Sequence, residues 1–244
     1  MDNQIIYTPE HVSQLVKGWM SDHDTRINAA VFNTLRILKA KNPGDTYLEA
    51  YLNHYQKRGS EFFDYYHLLW SVGSLLEPRN IMEIGCRTGI SVCQLLSSMM
   101  DPSVPAVFLF DIFADGFTSP VVVKMNLRAL NIPQDKVHFI IGDSEKTVPI
   151  FVEDRLKQSE FIAAYHPLMN YILVDGNHDK QAARVDLENV VPLLAPSGLL
   201  FFDDIAPDGC NLLDVWDDFK KTHGNEFYFH QNMDGKGIGV GVKR

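Results

Sequence analysis

From Ile81 onward the chain alternates short β-rich apolar runs with segments of helical periodicity. That rhythm leaves few folds open, because strands linked through helices must run parallel and be covered on both faces. The predicted strands are Ile81 to Ile84, Ala106 to Asp111, Val137 to Gly142, Tyr171 to Asp175 and Leu199 to Asp203. Between them, Ile90 to Met100, Pro120 to Leu130, Glu145 to Gln158 and Gln181 to Leu194 read as helices. In the last of these, Ala183, Leu187, Val190, Val191 and Leu194 recur at helical spacing and form one stripe for packing on a sheet. Pro196-Ser-Gly198 predicts a turn before the next strand. After Asp204 come a loop, a helix Asn211 to Lys221, and strands Glu226 to Gln231 and Lys236 to Val242, paired as an antiparallel hairpin through Asp234-Gly235.

Residues 1–60 differ in being helical in pattern, rich in Tyr and His, and broken by the turn signal Lys41-Asn-Pro-Gly-Asp45. They form a cap or an oligomer arm ahead of an α/β domain at 61–244, and an arm with exposed apolar residues would suit a homo-oligomer. Phe62, Phe63, Tyr65, Tyr66, Leu68, Leu69 and Trp70 predict an apolar helix leading into the first strand, a stripe that reads as core. A length of 244 residues with 45% hydrophobic content supports a full core. The net charge of -9 argues against nucleic-acid partners, which require clustered Lys and Arg. Cys86, Cys93 and Cys210 form no CxxC pair and read as reduced, buried small hydrophobes. No apolar run is long enough to span a bilayer, and the N-terminus lacks a basic segment followed by an apolar one. The expectation is a soluble cytoplasmic protein without membrane partners.

Chemistry concentrates at the strand ends. In Glu83-Ile-Gly-Cys-Arg-Thr-Gly89 a strand, a glycine turn and a helix meet, and Gly85 and Gly89 let the backbone approach a ligand. Asp111 closes the next strand, where an acid can accept hydrogen bonds from both ribose hydroxyls of a nucleoside. Gly142-Asp143-Ser144 ends the third, so Asp143 can either reach an adenine amino group or cap the following helix. Asp175 ends the fourth strand, and Asp203 with Asp204 ends the fifth. If these strands are neighbours, their ends lie about 5 Å apart and the acids can share one hard cation, Mg, Mn or Ca rather than Zn, with Mg or Mn the expected cofactor. Equally, Asp at a strand end can cap the next helix, as Asn177 or Asp179 could here. His178 follows within one turn of Asp175 and is the candidate general base, although it could equally be a hydrogen-bonded loop histidine.

Taken together, Glu83-x-Gly85-x-x-x-Gly89, Asp111, Gly142-Asp-Ser144, Val174-Asp-Gly-Asn-His178, Pro196-Ser-Gly198 and Phe202-Asp-Asp204 resemble the class I S-adenosylmethionine-dependent methyltransferases. The nearest branch holds metal-dependent macrolide-sugar and other small-molecule O-methyltransferases. The resemblance spans Phe62 to Val242 and implies a Rossmann-like α/β fold, seven strands in the order 3-2-1-4-5-7-6 with the last antiparallel. It implies S-adenosylmethionine contacts at Glu83, Gly85, Gly89, Asp111, Asp143, Ser144 and Asp175. A metal at Asp175, Asp203 and Asp204, His178 as catalytic base, and a small-molecule acceptor follow from the same likeness. Two positions depart from the pattern: Arg87 replaces the middle glycine of the commoner turn, and Asn177 stands where many relatives carry Asp. A nicotinamide fingerprint fails at Arg87, and no P-loop sequence occurs. A metal-independent N-methyltransferase and a non-catalytic Rossmann-like binding module remain the alternatives.

Overall fold

The structure is a computed structural model that describes residues 7–21, 24–58, 65–103, 105–114, 118–161 and 168–244. Seven strands form one sheet: β1 Asn80–Ile84, β2 Ala106–Asp111, β3 Val137–Ile141, β4 Met169–Val174, β5 Leu194–Asp203, β6 Phe227–Asn232 and β7 Ile238–Lys243. Their order is 3-2-1-4-5-7-6. Strands β1 to β5 are mutually parallel, and β7 runs antiparallel to both β5 and β6.

Alternation along the strands divides the core between two faces. Ile81, Val107, Leu109, Tyr171, Leu173, Leu199 and Phe201 point to one side. Met82, Phe108, Phe110, Ile172, Val174, Leu200 and Phe202 point to the other. Both faces are therefore apolar, as a parallel sheet covered on each side requires. The second face is covered by α7 Ser144–Phe161, α8 Lys180–Val190 and α9 Leu213–His223. The first is covered by α4 Tyr65–Leu76, α5 Ile90–Ser97 and α6 Pro120–Ala129.

The N-terminal helices α1 Pro9–Ser21, α2 Thr25–Lys41 and α3 Thr46–Arg58 join that first face. Val12, Val16, Val31, Leu35, Leu38 and Leu48 sit in the same buried cluster as β1 and β4. Polar ties fasten α1 to the sheet edge: Tyr228 donates to Glu10 at 2.8 Å, and Ser13 Oγ lies 2.8 Å from His230 Nε2. Within the described residues this segment is thus a covering layer of the sheet. Phe62 and Phe63, which the sequence assigns to the helix before β1, lie outside the described residues.

Two local expectations are corrected. Pro196-Ser-Gly198 does not precede β5 but forms an irregularity inside it, with pairing stepping from Met169–Leu194 to Tyr171–Leu199. Ser197 takes φ 63°, and a Cβ on Gly198 would stand 2.7 Å from the Ala195 carbonyl oxygen. Helix α8 also stops at Val190 and passes through a 3-10 turn, Val191–Leu193, into β5. Pro192 within that turn has no N–H with which to continue the helix.

At the C-terminal hairpin, Gly239 pairs with Phe202 and leaves room for Trp216, which is fully buried and stacked on Phe219 with ring centroids 5.7 Å apart. A Cβ at Gly239 would lie 2.4 Å from the indole. We predict that Gly239→Ala lowers stability by about 1–3 kcal/mol through overpacking. Thermal denaturation should show a fall of roughly 2–12 °C for a chain of this size, and an unchanged Tm would mean that the indole has space to move.

Candidate active site

The central strand β1 has β2 on one side and β4 on the other, so the carboxyl ends of three parallel strands open into one crevice. The backbone closes tightly there. Gly85 N–H donates to the Phe110 carbonyl at 2.8 Å, and Asp175 N–H donates to that of Ile84 at 2.9 Å. Gly85 has φ 85°, and a Cβ on it would overlap the Asp175 carbonyl oxygen at 1.9 Å. Gly89 has φ 73° and packs where a Cβ would stand 2.7 Å from Val123. Arg87, in place of the usual glycine, adopts φ 46°. The left-handed turn is thus kept without glycine at a modest conformational cost. Above it lies a cavity of about 430 Å³, bordered by Gly85, Asp111, Asp143, Asp175, His178 and Lys236 among others.

The nucleoside-side candidates are held by the backbone. Asp111 accepts from Arg87 N–H and from Phe113 N–H, each at 2.7 Å, one on each carboxylate oxygen. Asp143 caps α7 by accepting from Glu145 N–H at 3.1 Å, pairs with Lys146 at 3.0 Å, and also borders the cavity. The capping reading of Asp143 therefore holds, and the same residue stands at the cavity edge. Ser144 borders the cavity and donates to Asp186 Oδ2 at 2.9 Å. Burial pushes Asp186 up to about 6. Glu83 sits one layer below, buried beneath the turn and accepting a hydrogen bond from Ser91 Oγ, and does not border the cavity.

On the other side of the crevice the register of β4 and β5 gathers the acids. Asp175, Asp203 and Asp204 each offer a carboxylate oxygen within 4.8 Å of the others. Asp203 and Asp204 are buried, and neither Asp203 oxygen accepts a hydrogen bond. Asp204 is held at φ 61°. His178 Nε2 lies 3.0 Å from Asp204 and 3.5 Å from Asp175. Lys236, from the β6–β7 loop, places Nζ 3.1 Å from Asp204 and 3.8 Å from Asp203. Burial raises the Asp175 and Asp203 carboxyls, with repulsion from Asp175 adding to Asp203, whereas hydrogen bonding from His178 and the charge of Lys236 keep Asp204 low against its own burial. The carboxylates of Asp175 and Asp204 in turn raise His178 to about 10. A base role for His178 therefore requires those negative charges to be offset by another cation.

Several residues escape sequence reasoning. Lys236, Tyr51, Tyr65 and Tyr66 all border the cavity, yet their positions come from the hairpin loop and from helices α3 and α4. Cys210 is exposed, correcting the expectation that all three cysteines are buried; it lies on the loop after β5, while Cys86 and Cys93 are buried. Asn177 accepts from Asp179 N–H at 3.0 Å, and Asp179 caps α8 through Gln181 N–H and Ala182 N–H. The capping role thus falls to Asp179 and leaves Asp175 to the cavity.

Residues 82–205 match the sequence profile of the methyltransferase domain family, and the chain belongs to that family. No curated protein sequence matches it significantly. Among solved structures, an O-methyltransferase from Bacillus cereus in complex with SAH superposes with TM-score 0.56 at 17% identity, over 86% of this chain and 91% of that one. An SAH-bound methyltransferase from Podospora anserina superposes with TM-score 0.58 at 12% identity over 100% of both chains. At such identities the likeness establishes the shared fold, a Rossmann-like methyltransferase sheet. No helix among the described residues is long and apolar enough to cross a membrane.

Burial pushes the Glu83 carboxyl from 4.5 up to about 8, against the opposing hydrogen bond from Ser91. The folded chain therefore retains a proton that the unfolded chain loses first, and the stability this group contributes is fullest below 4.5 and is lost as pH rises through about 8. Glu83→Gln should flatten the decline in Tm between those limits, read from melts in a pH series. A decline as steep as that of the wild type would remove Glu83 as its source.

Proposed function

We propose that the protein transfers the methyl group of S-adenosylmethionine to a hydroxyl of a small-molecule acceptor, with a divalent Mg or Mn ion at Asp175, Asp203 and Asp204 and with His178 as base. The observation that carries this reading is the meeting, around one cavity, of the glycine turn and Asp111 with Asp175 and His178, the buried Asp203 and Asp204 each holding a carboxylate oxygen within 4.8 Å of one on Asp175. The SAH held by the Bacillus and Podospora proteins supports the cofactor, and the Bacillus protein's O-methyltransferase activity supports the acceptor atom. The metal fits the donor set: all three ligands are oxygens, and the buried Asp203 oxygens accept no hydrogen bond and have Lys236 no nearer than 3.8 Å.

The residues divide the work. Asp111, fixed by two backbone N–H groups, presents its remaining lone pairs to a ribose diol. Asp143 and Ser144 border the adenine end, and the N-terminus of α5 behind Gly89, which has no side-chain cap, faces the methionyl carboxylate. Glu83 lies beneath the turn and supports it from below. Bound S-adenosylmethionine supplies a methyl group on a sulfonium, which needs an electron-rich oxygen aligned behind it. An alcohol with a water-like pKa near 16 stands roughly nine units above an ordinary histidine, or ~12 kcal/mol against proton transfer. A divalent ion at the three acids would lower the pKa of a coordinated hydroxyl. For a phenol the gap to histidine is only about 5 kcal/mol. His178, 42% exposed at the cavity edge, is placed to take the proton and pass it to solvent.

One observation favours the rival reading of metal-independent transfer to an already nucleophilic atom such as nitrogen: Lys236 already places one positive charge among the acids. Two measurements separate the readings. Calorimetry should show micromolar binding of S-adenosylmethionine and SAH, weakened at least tenfold in Asp111→Ala; absence of binding to the wild type would discard the cofactor assignment. Titration of Mn followed by the free-ion electron paramagnetic resonance signal should show one bound ion, lost in Asp203→Ala. Methyl transfer that survives EDTA, with no bound Mn, would establish the metal-independent alternative.

A further inference from the structure

Beside the three-carboxylate cluster lies a second group of donors with different chemistry. His178, Asp204 and Cys210 each offer one donor atom within 4.8 Å of the other two. Nε2 is 3.0 Å and Sγ 3.4 Å from the same Asp204 oxygen. Around a tetrahedral zinc ion, with bonds of about 2.1 Å to nitrogen or oxygen and about 2.3 Å to sulfur, ligand atoms stand about 3.4 Å apart for N and O and about 3.6 Å apart for S and O. The nitrogen–oxygen and sulfur–oxygen separations thus already stand close to two edges of such a coordination sphere. We propose that His178, Asp204 and Cys210 form a binding site for a borderline-soft divalent ion of the zinc type, distinct from the all-oxygen cluster and sharing Asp204 with it.

The loop fixes these positions before any ion arrives. Gly209 N–H and Asn211 N–H both donate to the Ala206 carbonyl, at 3.0 and 3.1 Å, and Leu212 N–H returns to that of Asp204 at 3.2 Å. A Cβ on Gly209 would stand 2.7 Å from the Lys236 carbonyl oxygen and 2.8 Å from Asp204 Oδ1, so the turn carrying Cys210 is packed against the hairpin loop. Lys236 lies 3.1 Å from Asp204 Oδ1, which orients the carboxylate and leaves Oδ2 toward His178 and Cys210. Asp204 is buried, whereas His178 and Cys210 are exposed, so an ion enters from solvent and its fourth position stays open to water. Binding replaces the thiol proton and any proton on Nε2 with the metal, and both protons leave to solvent. Thiolate and imidazole donors select a borderline-soft ion over Mg. An ion here takes up Nε2 of His178 and one oxygen of Asp204, so zinc would inhibit methyl transfer. That consequence rests on the function proposed above, but the site itself does not.

The test uses the full chain freed of metal by EDTA and titrated with cobalt(II) as the spectroscopic probe. One equivalent should produce a thiolate-to-cobalt charge-transfer band in the near ultraviolet together with the intense visible bands of a tetrahedral ion, and zinc should bleach both. Because Cys86 and Cys93 are buried, the sulfur band reports Cys210. Cys210→Ser should abolish that band and weaken zinc binding at least tenfold, and His178→Ala should weaken it comparably while the chain keeps its thermal transition. Cobalt binding without a sulfur band, a band that persists in Cys210→Ser, or no cobalt binding would overturn the site. None of these outcomes depends on whether S-adenosylmethionine binds, so failure here and failure of the methyltransferase reading are separable.

Discussion

The close approach of Gly85 to the Asp175 carbonyl is the contact on which the rest of the site depends. Strand β1 ends where the chain must turn sharply over its neighbour β4, and a Cβ at Gly85 would overlap that oxygen. The backbone can pass only because glycine has no side chain and tolerates φ 85°. With the turn seated, the Phe110 carbonyl is bonded by Gly85 N–H, Asp111 is bonded by Arg87 N–H, and α5 starts at the crevice floor. The same seating sets Asp175 at the boundary between the glycine turn and the acid cluster. The cavity's two halves are therefore built on one backbone junction rather than on independent loops.

The acid cluster carries the electrostatic consequence of this packing. Parallel pairing of β4 with β5 brings Val174 level with Phe202, so the acids that follow each strand emerge side by side. Three carboxylates that close repel one another and lose hydration, a burden that low-dielectric surroundings enlarge. The molecule answers with His178 and Lys236, each in contact with two of the acids. Two Asp203 oxygens still lack hydrogen bonds. An arrangement of this kind stores affinity for a cation, and the choice of cation depends on whether oxygen alone or oxygen with nitrogen and sulfur completes the sphere.

Much of the architecture was legible without coordinates because it follows from period and punctuation. Both-face burial of β1, β2, β4 and β5 shows in their continuous apolar runs, and the C-terminal hairpin shows in Asp234-Gly235 between two β-rich segments. Pro196 to Gly198 carries turn residues that the structure uses for an irregularity within β5, a distinction set by the partner strand β4 and not by local preference. The same limit explains α8, whose apolar stripe continues past Val190 although Pro192 ends the helical hydrogen bonding.

Position along the strands was enough to bring Gly85, Asp111, Asp143 and Asp175 to the cavity and to put Asp203 and Asp204 at the same edge, buried behind it. In a parallel α/β chain the carboxyl end of every strand lies on the same edge, so a residue's place along its own strand is enough to assign it there. Which of them meet, and what joins them, depends on contacts between distant segments. Lys236 reaches the acids because β7 inserts beside β5, and Tyr51 borders the cavity because the N-terminal helices cover the sheet. Cys210 approaches Asp204 because the loop folds back on Ala206. Each of these contacts joins segments whose separation in the chain carries no local periodic signal, so their meeting is set by strand order and loop closure, which local sequence patterns do not encode.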